Sequence, residues 1–433
     1  MITTVAICVL LLIVLLICGV ALPFCFGAAL MFMAFTGGVL MKIMLLWDYT
    51  QIISTTLLAS PLFILAGTYM GGSGIATKLL DFVDSFVGRI RGGLGVLSVI
   101  SCAIIGAISG SGFTGVAATG PVIIPRMTQQ GYPRGYATAL VTVSSVLGLL
   151  IPPSGIMILY GWQTGTSILA CFMATVGPGV LIALLFCVIN MIWTRKFDLN
   201  LEAPMPVHDR MKLAGKRGVI ALPALLMPVI ILGGIYGGVF TPTEAAAVAA
   251  IYSIPIGLFV YRTMTLKSFY KMTLDSLGSI GAIMAMIVFC LMLSQTFVTL
   301  RVPEKIIEVL TGVTDSRVLM LIILNLFLFV VGMIVNDATG MLLCAPILLP
   351  LALELGVDAV QFSAIMGVNL AMGGITSPYA SILYLGMRVG NCPFNEILKP
   401  ALVFLIFGYV PVVFLTTFWA PLSTWLPSVM GLM

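Results

Sequence analysis

The sequence predicts an all-α polytopic membrane protein, organised as an inverted-topology repeat with two opposed re-entrant hairpins and two broken helices. Composition is the first observation, because 61% of the 433 residues are hydrophobic and only 8% are charged, with a mean hydropathy of +1.20. A soluble domain carries about 25% charged residues. The other two observations are the confinement of basic residues to short loops and a Gly- and Pro-rich pattern that occurs twice.

Apolar runs of about 18 residues or more recur along the chain, and each is long enough to cross a bilayer. We expect about 10–11 crossing helices on this basis. The N-terminal run lacks the basic and short apolar regions of a cleavable signal peptide, so it predicts permanent helices. The nine cysteines occur singly, and the one histidine, His208, lies in the most polar loop. Neither a disulfide framework nor histidine-based catalysis or metal binding is expected, and no P-loop motif is present.

Charge distribution predicts the topology. The long hydrophilic loop 194–218 carries six Lys or Arg residues and is expected to be cytoplasmic. Segment 92–125 is too short for two full spans and suits a hairpin of two half-length helices that enters from the cytoplasm. Its basic flanks are Arg89, Arg91, Arg126 and Arg134. Segment 318–353 has mixed and acidic flanks, so it predicts a second hairpin that enters from the opposite side.

An internal repeat relates these two hairpins. Superposing 106–165 on 331–390 requires no gap and gives 11 identities in 60, concentrated in Gly and Pro. Upstream, 77–83 resembles 304–310, and both read as short amphipathic arms at the membrane interface. Related halves with opposite flanking charge indicate an inverted repeat, which is a signature of secondary transporters.

Each hairpin is followed by a span that prolines interrupt, GLLIPPSG (148–155) and GGITSPYA (373–380). Unwound backbone at membrane depth is tolerated only where it is buried in protein or lines a cavity. We therefore expect each hairpin tip to face an unwound span: Ser109–Gly112 with Gly148–Pro153, and Asn336–Ala338 with Gly373–Pro378. Oxygen ligands of this kind suit Na⁺ or a proton-linked site rather than a soft metal.

Asp337 is the only acid in the second hairpin and lies at its tip, which makes it a candidate cation ligand. The alternative is that Asp337 caps a half-helix. The polar residues that could contact a substrate are Ser111, Thr114, Ser154, Asn336 and Thr339. Such side chains also satisfy backbone groups or allow close helix packing. Arg388 could attract an anionic substrate, although an ordinary interfacial arginine whose side chain extends toward the headgroups is the favoured explanation.

Several motifs together resemble one family. They are GxxSGS (106–111), IP-x-M…GY (124–132), LIPPS (150–154), GGVFTPTEAAAVAA (237–250) and PILLP…LG-x-D (346–358). On these residues the chain resembles the large membrane subunit of tripartite ATP-independent periplasmic (TRAP) transporters over nearly its full length. The family usually has TPPxG in the second broken span, whereas this chain has TSPYA (376–380), so Ser377, Tyr379 and Ala380 are in doubt as family-like positions.

The resemblance implies an elevator-type carrier in the bacterial inner membrane, driven by a Na⁺ gradient. It also implies a periplasmic substrate-binding protein and a small membrane subunit as partners, and organic acids such as C4-dicarboxylates, sialic acid or sulfonates as substrates. Carried over from the family, one Na⁺ site falls on Ser109, Gly148, Ile151 and Pro153. A second Na⁺ site falls on Asp337, Gly373 and Thr376.

The expected organisation has two transport-domain repeats, 92–167 and 318–390. The remaining segments are 1–91 with scaffold helices and the first arm, 168–317 with scaffold helices, the cytoplasmic loop and the second arm, and 391–433 with a C-terminal helix. The main alternative is a stand-alone Na⁺- or H⁺-coupled organic-anion symporter. An aquaporin-like channel would carry Asn-Pro-Ala at each hairpin tip, which this chain lacks, and nothing in the sequence suggests an enzyme.

Overall fold

A computed structural model describes residues 2–37, 40–87, 90–200, 206–377 and 380–433, and within these ranges the chain is helical with no strand. This confirms the predicted all-α class. Several residues used in the sequence argument lie outside the described residues: Arg89, residues 201–205 of the hydrophilic loop, and Pro378 and Tyr379 of the second broken span.

The helices fall into an N-terminal group, two repeats, and the segments that follow each repeat. The N-terminal group is α1 (Ile2–Ile17), α2 (Leu22–Thr36), α3 (Met41–Ile52), α4 (Ala59–Gly72) and α5 (Ile75–Val87). The first repeat is α6 (Gly93–Ser109), α7 (Gly112–Gln129), α8 (Arg134–Ser145), continued by a 3-10 turn Val146–Leu149, and α9 (Gly155–Thr164). Next come α10 (Ile168–Trp193), α11 (Val207–Tyr236), α12 (Pro242–Pro255), α13 (Leu266–Thr299) and α14 (Val302–Val313). The second repeat and C-terminal segment are α15 (Arg317–Ile334), α16 (Asp337–Glu354), α17 (Ala359–Gly373), α18 (Ser381–Gly390), α19 (Phe394–Phe404), α20 (Val410–Phe418) and α21 (Pro421–Val429).

Seven of the described helices are long and apolar enough to cross a membrane, and four shorter apolar helices accompany them. The seven are Ile168–Lys196, Met211–Tyr236, Pro242–Val260, Leu266–Thr299, Arg317–Ile334, Asp337–Glu354 and Phe394–Phe418. The chain is therefore a multi-pass membrane protein, as predicted. The count of about 10–11 crossings and the re-entrant path of each hairpin stay predictions.

The sequence repeat is also a repeat of helices. The second hairpin helix of the first repeat, α7, runs from Gly112 to Gln129, and α16 begins and ends at the aligned positions, Asp337 and Glu354. The same alignment relates the two broken spans, because Gly148 in the first 3-10 turn corresponds to Gly373, the last residue of α17. In both repeats the helix therefore ends at the same place, just before the interruption.

The GGVFTPTEAA motif is a tight turn followed by a capped helix start. Gly238 has a φ of +68°, which favours glycine, and the Thr241 hydroxyl accepts a hydrogen bond from the Glu244 backbone N–H at 3.3 Å. In return the Glu244 carboxylate accepts from the Thr241 backbone N–H at 2.8 Å, which completes a capping box. Pro242 occupies the first helical position, where no N–H is required. The motif thus specifies how α11 turns into α12.

Packing interlocks the two repeats. Helix α10 packs against α6 of the first repeat and α17 of the second, and α16 packs against α9. A Cβ added to Gly112, at the start of α7, would lie 2.9 Å from the Ile382 side chain at the start of α18. The first hairpin tip therefore touches the start of α18 in the second repeat, while α16 of the second hairpin packs on α9 of the first repeat.

Candidate functional site

The tip of the first hairpin is a turn lined with backbone oxygens. Gly110 ends α6 in the left-handed region, with a φ of +62°, and donates to the Gly106 carbonyl at 2.7 Å. The buried Ser109 hydroxyl donates to the carbonyls of Gly106 and Ser111, both at 3.4 Å, and Ser111 has extended backbone before α7 begins. Ser109, a candidate from the sequence, thus lies beside the carbonyl oxygens of Gly106 and Ser111.

This tip rests directly on the first broken span. A Cβ added to Gly148 would lie 2.5 Å from the Cα of Gly106 and 3.1 Å from the Ser111 carbonyl oxygen. On the other side of the tip, the Gly155 N–H donates to the Gly110 carbonyl at 3.3 Å, and a Cβ on Gly110 would be 3.1 Å from the Pro153 carbonyl oxygen. Only glycine permits such an approach of backbone to backbone. The structure therefore brings Ser109, Gly148 and Pro153 together.

The remaining candidates in the first span have other contacts. The Ile151 side chain packs toward α10, where a Cβ on Gly179 would lie 3.2 Å from it, so Ile151 would contribute its backbone rather than its side chain to a site. The Ser154 hydroxyl is fully buried and donates to the Leu149 carbonyl, which is otherwise an unsatisfied end of the 3-10 turn. Ser154 thus stabilises the interruption.

At the second tip, Asn336 caps α16. Its Oδ1 accepts from the backbone N–H groups of Ala338 and Thr339, at 3.0 and 3.3 Å. Asn336 therefore supplies the N-cap of α16, while a capping role for Asp337, which is compatible with that of Asn336, stays a prediction. Asp337 is the first helical residue and is half-buried. The N-terminus of α16 favours its negative charge.

The second tip repeats the glycine contact of the first. A Cβ added to Gly373 would lie 2.5 Å from the Cα of Gly332, in the last turn of α15. Beyond Gly373 the chain turns sharply, since the Thr376 N–H donates to the Gly373 carbonyl at 2.9 Å and the Thr376 hydroxyl donates to the Met372 carbonyl at 2.8 Å. Sequence reasoning missed Gly332, because Gly106 aligns with Val331 in the ungapped repeat. Allowing a one-residue shift would have revealed the pair.

Two equivalent threonines face helices outside the repeats. A Cβ added to Gly67 of α4 would lie 2.9 Å from the Cβ of Ser109 and 3.4 Å from the Thr114 hydroxyl. In the second repeat, the Thr339 hydroxyl donates to the Met286 sulfur of α13 at 2.7 Å. Each tip is thus held against one framework helix, α4 for the first and α13 for the second.

Arg388 is not brought to the tips. It is exposed toward the end of α18, and it lines a cavity with Asn391, Cys392 and Pro393. Because α18 begins at Ser381 and a helix rises 1.5 Å per residue, Arg388 lies about 10 Å along the axis from the interruption.

Helix ends converge at both interruptions. In the first repeat α6 and the 3-10 turn end there, while α7 and α9 begin there; in the second, α15 and α17 end and α16 and α18 begin. Helix C-termini carry partial negative charge and helix N-termini partial positive charge. Each interruption therefore offers carbonyl groups suited to a cation and N–H groups suited to an anion.

This architecture, with paired broken helices in a multi-pass bundle, is that of a membrane transport protein. Residues 9–421 match the family described as "Tripartite ATP-independent periplasmic transporter, DctM component". The chain is 37% identical over 377 residues to a C4-dicarboxylate TRAP transporter large permease protein DctM of Pseudomonas aeruginosa, with 87% of each chain covered. The chain belongs to the DctM family of TRAP transporters, which confirms the resemblance, a place in the inner membrane, and the expectation of a transporter rather than an enzyme.

Another relative is longer than this chain. An isethionate TRAP transporter permease protein DctMQ of Oleidesulfovibrio alaskensis is 34% identical over 374 residues, which cover 84% of this chain and 58% of that protein. Among solved structures, the Alcanivorax borkumensis YdaH transporter matches with a TM-score of 0.58 at 15% identity, covering 87% of this chain and 89% of that one. At such low identity the match shows a shared fold alone.

Proposed function

We propose that this chain is the large membrane subunit of a secondary transporter that imports a small organic anion together with Na⁺. The glycine–glycine contacts, Gly106 with Gly148 and Gly332 with Gly373, carry the proposal. In both repeats they hold a hairpin tip against an unwound span, where backbone oxygens converge without any intervening side chain. A contact of this kind between a tip and a span can bind a small cation and can separate when the cation leaves.

Two Na⁺ sites follow. The first would use the Ser109 hydroxyl with backbone oxygens of Gly148, Ile151 and Pro153; its support is the crowding of oxygens around the first tip. Hard oxygen ligands of this kind suit Na⁺.

The second site would use Asp337, Gly373 and Thr376. Its support is the sharp turn after Gly373 and the position of Asp337 at the start of α16. An intramembrane acid at a hairpin tip is a functional candidate.

The substrate would lie between the two tips. The relatives' names give C4-dicarboxylate and isethionate, which are small anions, and four helix N-termini at the interruptions favour negative charge. We assign contact with the anion first to Ser111 and Asn336, the equivalent residues that precede α7 and α16. The other candidates are Thr114, Ser154 and Thr339 near the tips and Arg388, which would attract the anion toward the mouth of its cavity.

Movement would be of the elevator type. Both tips contact framework helices through small or flexible groups, Gly67 on α4 and Met286 on α13. The unit formed by the two repeats, 92–167 and 318–390, would slide past these helices with its ligands enclosed. Bound Na⁺ would fix both tips and neutralise Asp337 before the anion is carried.

Two partners complete the proposed system. The DctMQ relative exceeds the matched region in length, and we propose that its additional part corresponds to a small membrane (Q) subunit that also works with this chain. A periplasmic substrate-binding protein would deliver the anion, in keeping with the family description.

The experiment reconstitutes this chain with its small subunit and binding protein in liposomes and measures uptake of labelled C4-dicarboxylates, sialic acid and isethionate under an inward Na⁺ gradient. Asp337→Asn is compared with Asp275→Asn, an exposed aspartate on α13. We expect uptake that requires Na⁺ and the binding protein, is lost in Asp337→Asn and is retained in Asp275→Asn. Uptake without the binding protein would instead indicate a stand-alone symporter. Uptake that follows pH and ignores Na⁺ would make Asp337 a proton carrier.

A further inference from the structure

A cavity of about 500 Å³ lies between the second hairpin and the helices beside it. Helices α1, α13 and α14 line one side, and α15 and α16 line the other. Its inner wall consists of apolar side chains that are buried: Cys8, Leu12, Leu293, Phe297 and Leu348. The volume falls within the range of roughly 300–1,000 Å³ that is usual for ligand pockets.

The cavity opens onto the apolar outer surface of the protein. Four of its lining residues, Val9, Val309, Phe327 and Val330, are between 42% and 56% exposed and form the mouth. A cavity with an apolar wall and a mouth on a surface of exposed apolar side chains is accessible from the hydrocarbon of the bilayer.

Among the described residues that line the cavity, Lys305 alone is charged. It lies on the arm helix α14 and is half-buried, and no acidic side chain of the described residues forms an ion pair with it. A lysine on an interfacial helix places its charge at the level of lipid headgroups while its stem covers apolar surface.

We propose that this cavity binds a phospholipid, with one acyl chain inside it and the anionic headgroup at Lys305. Charge complementarity at Lys305 and the otherwise apolar lining both favour this occupant. A peptide segment fits poorly, since its backbone polar groups would find no partners inside unless it were helical, and a helix with side chains is about 10–12 Å across. The lipid would lie beside the contact between α16 and α13, and so would lie where the proposed elevator movement takes place.

Lipid retention by the purified chain tests this proposal. Intact-mass measurement in detergent would compare phosphatidylglycerol and phosphatidylcholine of equal chain length. Val330→Trp closes the mouth, and Val229→Trp on the exposed face of α11 is its matched control. Lys305→Gln removes the headgroup partner, with exposed Lys267→Gln as control. Thermal unfolding confirms that each variant is folded, and Val309→Trp replaces Val330→Trp if the latter is not.

We expect wild type to retain phosphatidylglycerol preferentially and Val330→Trp to lose most of this binding, because the indole side chain would fill the mouth of the cavity. Lys305→Gln should still bind the acyl chain, but its preference for phosphatidylglycerol over phosphatidylcholine should fall about fivefold. Equal retention in Val330→Trp and Val229→Trp would overturn the proposal. Loss of lipid on adding the small subunit would overturn it too, because that subunit would then be the occupant. The assay reads lipid binding and not uptake, so its result is independent of the proposed Na⁺ coupling.

Discussion

Replacing Gly148 with alanine tests the first proposed Na⁺ site most directly. The added methyl group would lie 2.5 Å from the Cα of Gly106 and 3.1 Å from the Ser111 carbonyl oxygen. Non-bonded carbon atoms rest about 3.5–4.0 Å apart, so the hairpin tip has to move about 1 Å away from the broken span. Overpacking of this kind costs about 1–3 kcal/mol.

That displacement acts on the cation ligands. Because the ligands come from both the tip and the span, separating the two pulls the oxygens away from a shared ion. If the bound state bears the whole cost of about 1–3 kcal/mol, the Na⁺ concentration for half-maximal uptake rises roughly five- to 150-fold. The assay is the initial rate of substrate uptake into liposomes as a function of Na⁺ concentration, at saturating binding protein.

A matched control is Gly233→Ala on α11, where an added Cβ meets no atom within 4 Å. It should leave both the rate and the Na⁺ dependence unchanged. If uptake by Gly148→Ala is too slow to measure, Na⁺-dependent thermal stabilisation of the purified protein reports the affinity instead, since a ligand stabilises the state that binds it. Wild-type Na⁺ dependence in Gly148→Ala would refute the reasoning, because the contact would then contribute nothing to the cation site.

Three further changes probe other parts of the site. Gly67→Val should slow uptake strongly, because its Cβ would lie 2.9 Å from the Cβ of Ser109. The control Gly71→Val, on the same helix with no atom within 4 Å of an added Cβ, should leave the uptake rate unchanged. Equal uptake rates for the two variants would contradict a tight contact between α4 and the first tip. Thr241→Ala removes the capping box and should cost about 1 kcal/mol of stability, seen as a lower unfolding temperature with unchanged activity per folded molecule. Arg388→Gln should slow uptake at low ionic strength but not at high salt, because an exposed charge about 10 Å from the interruption acts only at long range. A salt-independent defect would place Arg388 in direct contact with the substrate.

Much of the fold follows from the sequence because its signals are local. Long apolar runs predict spans, and the two proline-containing stretches predict where helices α8 and α17 cannot continue. The ungapped repeat, read from Gly and Pro, anticipated that α7 and α16 occupy equivalent positions. These features depend on backbone chemistry that is nearly independent of the rest of the chain.

The contacts between helices were harder to predict because they depend on how each helix is rotated. Gly332 was missed because the ungapped repeat places Val331 opposite Gly106, although the contact with Gly373 is the same. The capping role of Asn336 was also missed, because the sequence does not show which polar side chain of the tip turns toward the first N–H groups of α16.

The two glycine contacts, Gly106 with Gly148 and Gly332 with Gly373, have similar backbone geometry, but the residues around them differ in charge. This difference affects how an anion could be carried. Asp337 has Gly112 as its counterpart in the first repeat, so the first proposed site has neutral ligands and the second has one carboxylate. With two Na⁺ bound, the enclosed core would carry one net positive charge, which a monovalent anion such as a sulfonate would cancel. Moving charge through the low-dielectric interior of a membrane is costly, so a nearly neutral loaded core favours movement with substrate. Movement of the empty core is disfavoured only by the single negative charge of Asp337. Loading Na⁺ before the anion is therefore the order that this arrangement of charges supports.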